Sequence, residues 1–248
     1  MLKFLIAPDF SPENFSGWHM FNTLLQRRSG QQVHLLMPAD TVEEADMRAQ
    51  GLPDLIYANP FDAAVLIRKY QYLPVVRPVG QSDEVVIATY VDAPYRHSDE
   101  LPKNSRILAA SNRDVRLIGL RLLESAGLDE SEVFWLNAAT FQAAARRLIR
   151  QEADAAFFLA SAYDAFNDST REQMRILMRS QLDDIYHMVL LHPKRTDLYD
   201  TVLETFTGMH DSVAGRLILG DLALNQGFEK LECEDAEFMI DLMQTLQD

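Results

Sequence analysis

Three strand-like runs, Leu2 to Ala7, Gln32 to Met37 and Asp54 to Ala58, alternate with three amphipathic stretches, Phe15 to Arg28, Val42 to Gln50 and Phe61 to Tyr70. This β-α-β-α-β-α order constrains the chain more than any other feature. Parallel neighbours need crossover connections, usually helices, and a sheet covered on both faces favours short, apolar strands. The punctuation agrees with the periodicity. Ser29-Gly30 is a stop signal for the first helix, while Asn59 and Pro60 supply an N-cap and a first-turn proline for the third.

A second alternation follows Leu73 to Val76 and a continuous apolar strand, Glu84 to Val91. Arg106 to Ala110, Val133 to Leu136 and Asp154 to Leu159 read as strands. Arg113 to Ala126, closed by Gly127, and Thr140 to Arg150 read as helices. Met174 to Met178 and Met188 to Leu191 read as two further strands, and from Thr196 the pattern is helical almost to the end. With 248 residues, 48% of them hydrophobic, the chain has enough apolar material for two modest cores. The pattern predicts an α/β protein of two lobes, residues 1–90 plus 187–248 and residues 91–186. The chain would cross near Tyr90, return between Ser180 and Tyr186, and complete lobe one with its C-terminal helices.

Charge excludes several functions. The formal net charge is −14, an acidic field that disfavours a nucleic-acid backbone or an anionic bilayer. Charges or prolines interrupt every apolar run before it could span a bilayer, so a soluble protein without direct membrane insertion is expected. Met1 to Pro8 lacks the basic segment, apolar core and cleavage site of a signal peptide, and Cys233 is the only cysteine. Both features point to the cytoplasm, or to the periplasm if a signal preceded this sequence. His19, His34, His97, His187, His192 and His210 show no metal-ligand spacing, and no nucleophile elbow, P-loop or dinucleotide fingerprint occurs. Neither metal nor cofactor is expected.

The order of segments resembles the substrate-binding components of phosphate, phosphite and phosphonate ABC importers. The resemblance lies in Pro53 to Ala64 as a strand-to-helix turn, Tyr72 to Arg77, Asp83 to Ile87, Leu122 to Asp129 and Ala153 to Ala156. It implies a two-lobed type-II periplasmic-binding-protein fold, each lobe a mainly parallel sheet flanked by helices, with the C-terminal helices packing on lobe one. The implied function is non-catalytic closure around a small anion, either in an importer or as a cytoplasmic sensor or carrier with a regulatory or transporter protein partner. Relatives of this fold in the futalosine route to menaquinone imply a lyase-like enzyme as the alternative, for which Asp9, Glu13 and Asp92 are the acid and base guesses. A scaffold that binds only another protein is the third reading.

One departure from the family bears on the ligand. Its hydroxyl-rich turn at the start of the first lobe-two helix reads here Ala109-Ala110-Ser111-Asn112-Arg113-Asp114. Ser111 and Asn112 keep donors and serve at least as caps, and Arg113 adds a fixed charge that would pair with an anion or simply face solvent. Arg116 is the weaker choice. Asn59 and Phe61 stand at the carboxyl end of a parallel strand, where open α/β sheets bind ligands, though a helix cap and a core ring describe them equally well. Asp9 and Phe10 occupy the equivalent turn after the first strand. Ser161 would face the same region as a donor or as another helix cap, and Tyr90 would sit near the first crossing.

Overall fold

The computed structural model describes residues 1–8, 14–110 and 112–247. They form β1 (Leu2–Ile6), α1 (Phe15–Ser29), β2 (Val33–Leu36), α2 (Thr41–Gln50), β3 (Leu55–Ala58), α3 (Pro60–Tyr70), β4 (Leu73–Pro78) and β5 (Val85–Tyr90). Then come β6 (Ser105–Ala110), α4 (Arg113–Ser125), β7 (Val133–Ala138), α5 (Phe141–Ile149), β8 (Ala155–Leu159), α6 (Ala160–Asp164), α7 (Asp168–Arg171), β9 (Met174–Arg179) and β10 (Met188–Leu191). The chain ends with α8 (Tyr199–Thr207), α9 (Val213–Asp221), β11 (Phe228–Lys230) and α10 (Cys233–Gln247). It divides into two units, Met1–Gln81 with Tyr186–Met243, and Ser82–Ile185 with Gln244–Asp248.

Unit one holds a six-stranded sheet in the order β11-β4-β10-β3-β1-β2. β1 pairs in parallel with β2 and β3, whereas β10 is antiparallel to both β3 and β4, and β11 is antiparallel to β4. β1, β2, β3 and β4 therefore all point the same way. The pleat sends alternate side chains to opposite faces. Phe4, Ile6, Leu55, Tyr57, Val189 and Leu191 enter one core with Trp18, Phe21 and Phe206, while Leu5, Ile56, Ala58, Met188 and Leu190 enter another with Leu66, Met239 and Ile240. On the first face the rings of Phe4, Trp18, Phe21 and Phe206 meet mostly edge to face, with centroids 4.4–6.5 Å apart. Each ring so buried contributes about 2–3 kcal/mol relative to exposure.

Unit two holds a five-stranded sheet in the order β7-β6-β8-β5-β9. β6 is parallel to β7 and β8, and β5 is antiparallel to both β8 and β9. Four strands thus share a direction and β5 opposes them. Val86, Leu108, Ala144, Leu148, Phe158 and Tyr163 form one core of this sheet. On the Ile107 and Phe157 side α4 comes so close that a Cβ added at Gly119 would lie 2.4 Å from the Phe157 ring.

Two expectations are corrected here. The crossing lies at Gln81/Ser82 and not near Tyr90, because β5 finds its partners in the second sheet, Val86 opposite Phe158 and Ile87 opposite Met178. Residues 82–90 therefore belong to unit two, and Tyr186 and the segment from Gln244 also change sides. The helical tail is interrupted by β11, an edge strand introduced by Gly227 at φ +75°. With two of its three residues charged, β11 carries no apolar run to betray it.

Candidate ligand-binding site

In unit one the carboxyl ends of β1 and β3 lie side by side, held past β1 by the Ala7 N–H donating to the Tyr57 carbonyl at 2.9 Å. Tyr57 stacks on His187, with centroids 5.3 Å apart, and packs against Trp18 at 4.9 Å. Asn59 then opens α3. Its backbone is extended, Pro60 occupies the first turn, and its Oδ1 accepts the Asp62 N–H at 2.9 Å. Its Nδ2 donates to Asp62 Oδ2 at 3.0 Å, and Arg48 Nη2 lies 2.8 Å from Asp62 Oδ1. Asn59 and Asp62 are both buried, so the amide of Asn59 is oriented by a carboxylate that Arg48 neutralises. Arg48 also approaches the buried Glu44 at 3.7 Å. Phe61 is half-buried in the first turn of α3.

In unit two the equivalent place is the start of α4, beyond the carboxyl end of β6. Asn112 caps the helix, its Oδ1 accepting the Val115 N–H at 2.8 Å, and Arg113 is exposed at the first helical position. Asp114 beside it is buried. Arg116 is turned elsewhere, to Glu130 at 2.8 Å and over the Trp135 ring at 4.5 Å.

The remaining expected residues divide. Ser161 is exposed in the first turn of α6, at the carboxyl end of β8, but it is not the cap; Leu159 holds that position and bonds nothing with its side chain. Tyr90 stands at the opposite end of the sheet, a correction that follows from the direction of β5. Because β5 is antiparallel to β8, its last residue pairs with Met174 near the amino end of β8, where Thr89 Oγ1 donates to the Asp154 carbonyl at 2.7 Å. Burial and the neighbouring Asp154 raise the pKa of Tyr95 at this same end. Asp92 is exposed just beyond β5. Asp9, Phe10, Glu13 and Ser111 lie outside the described residues.

Sequence reasoning missed the group at the amino end of β5, beside the carboxyl end of β8. The Glu84 carboxylate accepts the Leu182 and Asp183 N–H groups, each at 2.7 Å, and the Ser180 hydroxyl, whose Oγ in turn accepts the Val85 N–H at 2.8 Å. The Glu84 carbonyl receives the Ala160 N–H at 2.7 Å, fixing the start of α6. Nothing in the sequence marks Glu84 apart from its place just before an apolar strand.

Among the described residues no group of three or more His, Cys, Asp or Glu side chains is placed to hold a metal ion, and no helix is long and apolar enough to cross a membrane.

Comparison with known proteins gives this geometry its context. The chain resembles the methylphosphonate-bound PhnD1 of Prochlorococcus marinus (MIT 9301) with TM-score 0.82 and 12% identity, over 99% of this chain and 98% of that one. A binding-protein component of an ABC phosphonate transporter from Pseudomonas aeruginosa superposes with TM-score 0.80 and 14% identity, over 99% and 86%. The periplasmic aliphatic sulphonate-binding protein SsuA of Escherichia coli follows with TM-score 0.65 and 15% identity, over 99% and 87%. These likenesses show a type-II periplasmic-binding-protein fold. No curated protein sequence matches. Residues 4–236 match the family described as ABC transporter, phosphonate, periplasmic substrate-binding protein, and the chain belongs to that family.

Proposed function

We propose that this chain binds a small phosphonate- or phosphate-like oxyanion without catalysing its conversion, as the solute-recognition component of an importer. The observation that carries the reading is the family match across residues 4–236. The start of α4 supports it physically. A capped helix end directs backbone N–H groups and a positive partial charge outward, and exposed Arg113 adds a full charge within a strongly acidic chain. Asn112 and Arg113 are the proposed anion contacts, together with Ser111 and Ser161. Asn59 and Phe61 on unit one, with Asp9 and Phe10, are further proposed contacts.

Thermal denaturation with methylphosphonate, phosphate, phosphite and an alkylsulfonate, repeated on Arg113→Ala, tests the proposal. A ligand at one hundred times its dissociation constant adds about 2.7 kcal/mol to stability. A saturable rise with a phosphorus oxyanion, lost in the variant, is expected; no rise with any of the four would overturn the reading. Fractionating cells that express the native reading frame separates the importer role from a cytoplasmic sensor or carrier. Periplasmic recovery supports the first and cytoplasmic recovery the second.

A further inference from the structure

We propose a second binding site, in unit two, for a small organic anion that has an apolar body. It is independent of the oxyanion reading above. The site is a cleft of about 490 Å³ between α5 and the segment from Ala165 to Gln173. Small-molecule pockets commonly enclose about 300–1,000 Å³.

The charge of this cleft runs against the rest of the molecule. The chain carries 37 acidic and 23 basic residues, yet no carboxylate lines the cleft among the described residues, and two arginines do. Arg146 in the last turn of α5 and Arg150 at its C-cap lie one helical turn apart, both exposed, and neither side chain has an ion pair or hydrogen bond within the described residues. Their neighbours behave differently. Arg147 holds Glu152 at 2.8 Å and the Asn137 carbonyl at 2.7 Å, Arg171 is joined to Asp168, and Arg179 reaches Asp164.

The floor of the cleft is apolar. Ile149 and Phe166 are half-buried, and the Phe166 ring is fixed by contacts with Phe158 at 5.7 Å and Tyr163 at 6.0 Å. Gln142 and Thr170 add neutral hydrogen-bonding groups at the rim. Two guanidinium forks beside a fixed ring suit a phosphate or carboxylate group attached to an aromatic or alkyl body, with the oxygens on the arginines and the body on Phe166. Salt weakens such a site because both charges are exposed.

Amide NMR titration of the whole chain with phenyl phosphate tests the site, with inorganic phosphate and benzyl alcohol as the two half-ligands. Saturable shifts in Gln142–Arg150 and Ala165–Gln173 are expected. The double variant Arg146→Ala, Arg150→Ala should weaken that binding by about tenfold or more, while Arg113→Ala leaves it unchanged. Circular dichroism of the double variant should match the parent, since both side chains are exposed. The site is refuted if phenyl phosphate shifts only the start of α4, if the double variant binds as tightly as the parent, or if inorganic phosphate alone binds equally well.

Discussion

Arg48 on α2 and Asp62 in the first turn of α3 form an ion pair at 2.8 Å, and the other oxygen of Asp62 holds the amide of Asn59. A contact between two helices thereby sets the orientation of a residue at a strand end. Arg48→Met should leave a buried carboxylate without its cation. We expect a loss of about 2–3 kcal/mol in urea denaturation, below the usual cost of breaking a fully buried pair because Arg48 keeps some exposure. The double variant Arg48→Met, Asp62→Asn should recover part of that loss, and failure to do so would show that the pair is not what stabilises this turn.

Glu84→Gln should loosen the segment from Ser180 to Asp183. The substitution replaces a carboxylate that accepts two backbone N–H groups and a hydroxyl with an amide that accepts them more weakly. The expected cost is about 1–3 kcal/mol, read as faster hydrogen exchange at Leu182 and Asp183 with the amides of β6 unaffected. Unchanged exchange at these two positions would remove Glu84 as the clamp.

Gly119→Ala should destabilise unit two by about 1–3 kcal/mol through overpacking, because the added methyl meets the Phe157 ring at 2.4 Å. Phe157→Leu in the same chain should be less costly than the sum of the two changes. Additive losses would mean that the backbone, and not the ring, absorbs the clash.

The phenol of Tyr72 is buried and donates to the Pro53 carbonyl at 2.5 Å. Burial first, and the charge of Asp54 second, push its pKa up, with Arg48 acting in the opposite sense. The folded state therefore favours the neutral phenol. The resulting stabilisation is complete below the ordinary tyrosine pKa, about 10, and is lost as pH rises above it. Tyr72→Phe should cost about 1 kcal/mol at neutral pH, and its deficit relative to the parent should shrink between pH 10 and 11 in denaturant titrations. A constant deficit would mean that Tyr72 ionises as readily in the fold as in the unfolded chain.

The legible part of this molecule is the part with strong period. β1, β2 and β3 alternate with α1, α2 and α3 much as the apolar runs and the Asn59-Pro60 signal indicate, because β1 and β3 are largely buried, the edge strand β2 turns Val33 into the core, and the helices between them are amphipathic. The caps at Asn59 and Asn112 were equally readable, since an N-cap is a local arrangement of one side chain and the N–H groups that follow it. Strand direction was not. The apolar run at Val85–Tyr90 is the same read forwards or backwards, so the misplacement of Tyr90 and the hidden role of Glu84 come from one missing fact, that β5 is antiparallel. Arg48 was invisible for a related reason. Its partners, Asp62 fourteen residues on and Glu44 four residues back, matter only through burial, which sequence separation does not disclose.

The reversed strand has a consequence for how this protein could be cut and rejoined. Because β5 enters the second sheet at the end where the chain also departs, the Asp83 N–H donates to the Ile185 carbonyl at 2.6 Å, and the two ends of residues 82–185 touch. That stretch has the layout of a genetic insert: a short spliced linker would close it into a permuted or free-standing module. It would forgo the contact from Arg121 to the Leu246 carbonyl, which lies outside that stretch of sequence.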